Sequence, residues 1–229
     1  MSYFSHVSID PTSINAAQLA KDVCTNAYRE HQHLWRLFDA DADAERDFLF
    51  RREQPASGFP RFYLLSGRQP RHSNNIWQID TKDYRPVIHS GQQLAFSLRV
   101  NPIITRRDAQ GRQCRHDVVM DLKRRTDFKT SPVNERPSLN VLVQQAGLEW
   151  LQSRAEQHGF SFVPEQIHVD GYHQHRVAKK SEQKLIRYST LDFTGLLIVT
   201  EVERFQQALI QGIGPAKAFG CGLLLVRRT

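Results

Sequence analysis

Between residues 93 and 227 the spacing of apolar residues switches from every second position to every third or fourth and back, twice over. Gln93–Ile104 (QLAFSLRVNPII) alternates as a half-buried strand until Pro102 ends it. Leu139–His158 predicts an amphipathic helix with Val143, Ala146, Leu148, Trp150 and Leu151 as apolar contacts, closed by Gly159. Two strands follow, 160–177 and 184–200, with a turn at 178–183, then a short helix over 201–211 and a last strand over 221–227. The first half has a similar order. A strand over 3–9 leads into helical spacing from 13 to 38 (Leu19, Val23, Ala27, Leu34, Phe38), with a break near Thr25-Asn26. Strands over 48–52 and 61–65 flank a turn-rich Gln54–Pro60, and residues 68–88 are ambiguous. This order predicts an α+β chain of two βαββαβ units in tandem, residues 1–92 and 93–229, the second using the strand at 93–104. Each half would lay two helices on one face of a four-stranded antiparallel sheet.

A chain of 229 residues can bury such cores without disulfide or metal staples. Cys24, Cys114 and Cys221 form no paired motif and predict reduced thiols in a cytoplasmic protein. The N-terminus lacks a basic start and long apolar stretch, and no apolar run approaches membrane-span length, so neither a secreted nor a membrane-spanning protein is expected.

The net charge is +7, and two segments hold it. Residues 106–136 carry nine bases, including Arg106, Arg107, Arg112, Arg115, Lys123, Arg124 and Arg125, against five acids. Residues 171–190 carry five, Arg176, Lys179, Lys180, Lys184 and Arg187, against Glu182 alone. The rest of the chain has 17 bases and 18 acids, which is near neutrality. Concentrated positive charge predicts a polyanion partner, since neutralising phosphates releases condensed counterions. The first segment shows no strong period and predicts a mobile loop; the second lies at a hairpin tip. Neither has an apolar face that could enter lipid.

Near the C-terminus, residues 212–222 read GIGPAKAFGCG, placing Gly212, Gly214, Gly220 and Gly222 between a helix and a strand. Glycines permit positive φ and close backbone approach, and successive amides with Lys217 can hold phosphate oxygens. This run resembles the C-terminal glycine loop of the repeat-associated RNA-binding proteins of CRISPR systems, and more narrowly the CasE endoribonuclease family of type I-E systems. Tyr28–Phe38 (YREHQHLWRLF), Arg46–Phe50 (RDFLF) and Phe96–Ile103 (FSLRVNPI) resemble the same family, so the likeness spans nearly the whole chain. It implies tandem ferredoxin-like (RRM-like) domains. It also implies metal-independent cleavage of precursor RNA within each repeat beside a hairpin stem, with the guide RNA kept in a surveillance complex.

Metal-free scission can use the substrate's own 2′-hydroxyl, leaving a 2′,3′-cyclic phosphate and a 5′-hydroxyl. The protein must then move protons near neutral pH, a task that suits imidazole. At about 100° per residue His31 falls at the rim of the apolar stripe, and Tyr28, three residues earlier, lies on adjacent surface beside Trp35. Spacing alone also fits an ordinary rim histidine with a tyrosine packed beside it. The resemblance assigns general acid/base work to His31, whether as acid, base or both, and an accessory role to Tyr28. His33 falls on another face and is expected in solvent. Arg36 and Lys217 are candidate cations for the phosphorane. His173 and His175 share a strand face near His168, but no further ligands complete a metal site. No metal or other cofactor is expected. The alternative to a nuclease is a non-catalytic guide-RNA-binding subunit of the same superfamily.

Overall fold

The computed structural model describes residues 2–38, 46–53, 55, 58–71, 76–126, 128, 130, 132–179 and 184–229, without the side chains of 178, 179 and 184. Two compact units emerge. One holds residues 1–87 with 177–186 and 210–223; the other holds 88–176, 187–209 and 224–229. The glycine-rich turn, 212–222, falls in the first unit.

In the first unit, β1 (Tyr3–Ile9) is followed by α1 (Ala16–Thr25), α2 (Ala27–Trp35), β2 (Phe48–Glu53), β3 (Arg61–Ser66) and β4 (Trp77–Asp83). The sheet order is β2-β3-β1-β4, antiparallel throughout. That is the order of a βαββαβ sheet with its first strand second from one edge. Both helices come from the first crossover, divided at the predicted break, and among the described residues the β3–β4 crossover, which the sequence leaves ambiguous, has none. The helices bury Val23 and Leu34 against Val7, Phe48, Phe50, Phe62 and Leu64. Each such side chain contributes roughly 1.5–3 kcal/mol by leaving water.

In the second unit, β5 (Gln93–Val100) leads to a hairpin of β6 (Ile103–Arg107) and β7 (Gln113–Asp117), then α3 (Val118–Arg125). After these come α4 (Leu139–Ala155), β8 (Phe160–Ser161), β9 (Ile167–Lys179), β10 (Lys184–Val199), α5 (Val202–Gln211) and β11 (Leu224–Arg228). The sheet order β11-β5-β10-β8, with β9 also on β10, is again that of βαββαβ. Leu94, Phe96, Leu98 and Val100 of β5 face inward, as their alternation requires, and Trp150 of α4 packs tilted on Phe193 with ring centroids 5.8 Å apart.

Segment 105–136 is therefore not a featureless loop. Its strands are five residues long, too short to show a period, and Asp117 caps α3 by accepting the Met120 N–H at 2.8 Å. The last strand begins at Leu224 rather than at 221, because buried Cys221 and Leu223 complete the glycine turn. Among the described residues, no helix is long and apolar enough to cross a membrane.

Candidate active site

Asn26 sets the geometry of α2. Its backbone is extended (φ −153°), which breaks the helical run, and its side-chain oxygen accepts the Tyr28 N–H at 2.8 Å to restart it. Buried Glu30 then ties α2 to β2 through Arg52, at 2.9 Å. One residue on, His31 lies half-buried in an aromatic bed. Its ring centroid is 5.5 Å from Phe48, 5.8 Å from Trp35 and 6.4 Å from Phe50, the last pair nearly parallel at 6°. Its Nδ1 is buried and has no hydrogen-bond partner among the described residues. Burial, and secondarily the charge of Arg46, push the imidazole down to about 4, so the neutral ring is its resting form at pH 7.

Arg46 lies two residues before β2, and its Nη1 is likewise buried without a partner among the described residues. The next residue, Asp47, is committed to Arg68, which donates from Nε at 2.8 Å and Nη2 at 2.7 Å. Lys217 completes the group. It lies on a 3₁₀ turn, 217–219, that packs on α2 and β2, and burial followed by the Arg46 charge lowers its ammonium pKa.

The glycine turn places that lysine. Gly212 has φ +75°, and a Cβ there would come within 2.8 Å of Leu49 on β2 and of the Gly222 carbonyl. Gly220 has φ +74° and presses on the Phe50 ring, 3.2 Å from where its Cβ would be. Ile213 donates its N–H to the Gly222 carbonyl at 2.9 Å, closing the turn beside Gly214. The ends of the turn are buried and its tip, 214–219, is half-open. Glycine is thus required first by backbone conformation and close packing.

Tyr28 is half-buried one helical turn from His31, and among the described residues its ring stacks on no neighbour, Trp35 included. His33 departs from its expected exposure. Its Nε2 lies 2.8 Å from Asp22, which also pairs with Arg29, and its side chain is 17% exposed. Burial, with Arg36 and Arg29, lowers its pKa. Arg36 itself caps the C-terminal end of α2 in solvent.

In the second unit the basic residues fall into two sets. Arg106 forks onto Asp121 at 3.0 and 2.6 Å, Arg125 bridges Asp121 (3.2 Å) and Glu149 (2.6 Å), and Arg112 closes on Asp108 at 2.9 Å. Lys123 covers the Phe128 ring and Arg124 meets His116 at 3.2 Å. Arg107 and Arg115 are exposed, share one face of the β6–β7 hairpin, and have no ion-pair partner among the described residues. Arg176 and Arg187 are exposed as well. Lys179 and Lys184 end β9 and begin β10, and Lys180 lies outside the described residues. His175 stacks on Tyr188 and meets Thr190 at 3.0 Å, 6.4 Å from the His173 ring, while His168 pairs with Asp170.

The profile of the family described as CRISPR associated protein matches residues 2–228. The Cascade subunit CasE of Escherichia coli is 30% identical over 214 residues, covering 90% of this chain and 94% of that protein. The chain belongs to the CasE family of CRISPR-associated proteins. A second relative, the CRISPR-associated endoribonuclease Cse3 of Thermus thermophilus, is 29% identical over 225 residues, 92% of this chain and 94% of its own. A solved structure of Cse3 bound to a 19-nucleotide RNA superposes with a TM-score of 0.70 at 23% identity, covering 98% of this chain and 99% of that one. The likeness establishes the shared tandem ferredoxin-like fold of the CasE family.

Within that family frame, Arg46 is the site residue that sequence spacing did not single out. A signal was present. Phe48-Leu-Phe50 is an apolar run bound for the core, and a lone arginine two residues before it is carried partly inside.

Proposed function

We propose that this chain is a metal-independent endoribonuclease that cleaves CRISPR precursor RNA within the repeat, beside its hairpin stem, and keeps the guide RNA as a subunit of a type I-E surveillance complex. The observation that carries the reading is His31: a neutral imidazole with a buried, unpartnered nitrogen, in the same cluster as two cations that no described acid offsets. The names of the relatives, an endoribonuclease and a Cascade subunit, support the substrate class.

In the reaction the 2′-oxygen bonds to phosphorus, the P–O5′ bond breaks, one proton leaves the 2′-hydroxyl and one reaches O5′. The neutral His31 ring accepts the first. Lys217, its ammonium acidified by burial and by Arg46, supplies the second. Tyr28, one turn away, aligns the ribose. The exposed arginines of the two hairpins, 107, 115, 176 and 187, grip the stem through its backbone, the mode by which A-form duplexes are read.

Incubation with a repeat hairpin in EDTA tests this. The expected products are a 2′,3′-cyclic phosphate and a 5′-hydroxyl. Tight binding without cutting would favour the guide-coating alternative; cutting that EDTA abolishes would favour a metal-dependent nuclease.

A further inference from the structure

We propose that Arg46 is a catalytic residue whose guanidinium receives a non-bridging oxygen of the scissile phosphodiester; this rests on the nuclease reading above. Arg46 stands at the entry of β2, the strand whose Phe48 and Phe50 bed the His31 ring, so one short segment fixes both groups. Its Nη1 is buried and has no hydrogen-bond partner among the described residues. A guanidinium donates and never accepts, and leaving a buried charged donor unsatisfied is costly, so a site that keeps one is built for an acceptor from outside. Among the described residues, Asp47 is engaged with Arg68 and Glu30 with Arg52.

Chemistry identifies the missing acceptor. Arg46 makes protonation harder for both His31 and Lys217, so in the free protein two cations, Arg46 and Lys217, repel one another and the ring stays neutral. One phosphodiester relieves the repulsion. As the 2′-oxygen attacks, the charge on the non-bridging oxygens grows, and a fixed, half-desolvated guanidinium binds the phosphorane more strongly than the ground state. No proton leaves Arg46 at any point.

The test compares the parent chain with Arg46→Gln, Arg46→Lys and His31→Ala. Three quantities are read: single-turnover cleavage of the repeat hairpin, affinity for the same hairpin with a 2′-deoxyribose at the cleaved position, and the His31 titration by NMR. Arg46→Gln is expected to slow cleavage about 100- to 1000-fold while weakening 2′-deoxy binding less than about 10-fold. The His31 pKa should rise with the neighbouring charge gone. Arg46→Lys, which keeps the charge and loses the fork, should fall between; if Arg46→Gln fails to fold, that variant decides, and a parental rate in it overturns the proposal. A parental rate in folded Arg46→Gln overturns it too, as does a loss of affinity equal to the loss of rate. If His31→Ala is inactive in the same series, only Arg46 is struck. A parent that leaves the hairpin whole instead strikes the nuclease reading, and unchanged 2′-deoxy affinity in Arg46→Gln would then remove the phosphate contact as well.

Discussion

The positive charge of this chain is handled in two opposite ways. In the second unit, Arg106, Arg112 and Arg125 are folded back onto Asp121, Asp108 and Glu149, and they hold a hairpin and a short helix in place. In the first, Arg46 and Lys217 stand beside a neutral His31, half-buried, with no acid among the described residues to balance them. By count, segment 106–136 is the basic one. By availability, the smaller cluster is the stronger attractor for an anion, since desolvated and uncompensated charges interact more strongly than paired, solvated ones. Counting arginines therefore locates where charge is spent on structure as readily as where it is kept for a ligand.

The sharpest way to break this contrast is to remove the imidazole. His31→Ala is expected to lower single-turnover cleavage of a repeat hairpin by about 100-fold or more while leaving affinity within about threefold. Equal losses of rate and affinity would turn the site into a binding surface only. On the other side, Asp121→Ala removes the carboxylate shared by Arg106 and Arg125. Because both arginines are half-exposed and can be rehydrated, the expected cost is about 2 kcal/mol in urea unfolding, with cleavage by the folded fraction unchanged. If stability does not move, the pairing in the second unit is not structural.

A smaller effect separates free from engaged arginines on the same hairpin. Arg107→Ala with Arg115→Ala should weaken hairpin-RNA binding about 10-fold and make the slope of log affinity against log salt shallower by about 2. Arg112→Ala, whose partner is Asp108, should leave that slope alone. The same slope change in both variants would erase the distinction between the two sets.

Much of this was legible before any coordinates. Alternation in Gln93–Val100 and helical spacing around Leu34 place strands and helices because burial on one face imposes the period of the backbone. Thr25-Asn26 announced the break between α1 and α2 through the capping chemistry of asparagine. The short β6 and β7 gave no period to read, since five residues cannot establish one. The aromatic bed of His31 and the neighbourhood of Arg46 and Lys217 were hidden for a different reason: they join residues 31, 46 and 217, and no local spacing reports contacts that distant. His33 was misplaced because its exposure depends on Asp22 of the preceding helix, not on its own face of α2.

The weakest expected effect is on acid stability, and its sign distinguishes the two kinds of charge again. His31 has a folded pKa near 4, below the ordinary 6.5. As pH falls through 6.5 the unfolded chain takes up a proton that the folded ring refuses, so its contribution to stability, intact above 6.5, is lost progressively down to about 4. Between pH 7 and 5.5 this amounts to about 1 kcal/mol at most for one such group. Asp121, held low by Arg106, acts at lower pH, losing its contribution only as pH falls below the usual carboxylate range. His31→Phe, which keeps a ring in the bed of Phe48 and Phe50, should make the fall of the urea-unfolding midpoint between pH 7 and 5.5 shallower, leaving the part due to His33, without altering the loss below pH 4. A slope unchanged by His31→Phe would mean that the ring titrates normally in the folded chain. Neither burial nor the Arg46 charge would then be acting on the ring.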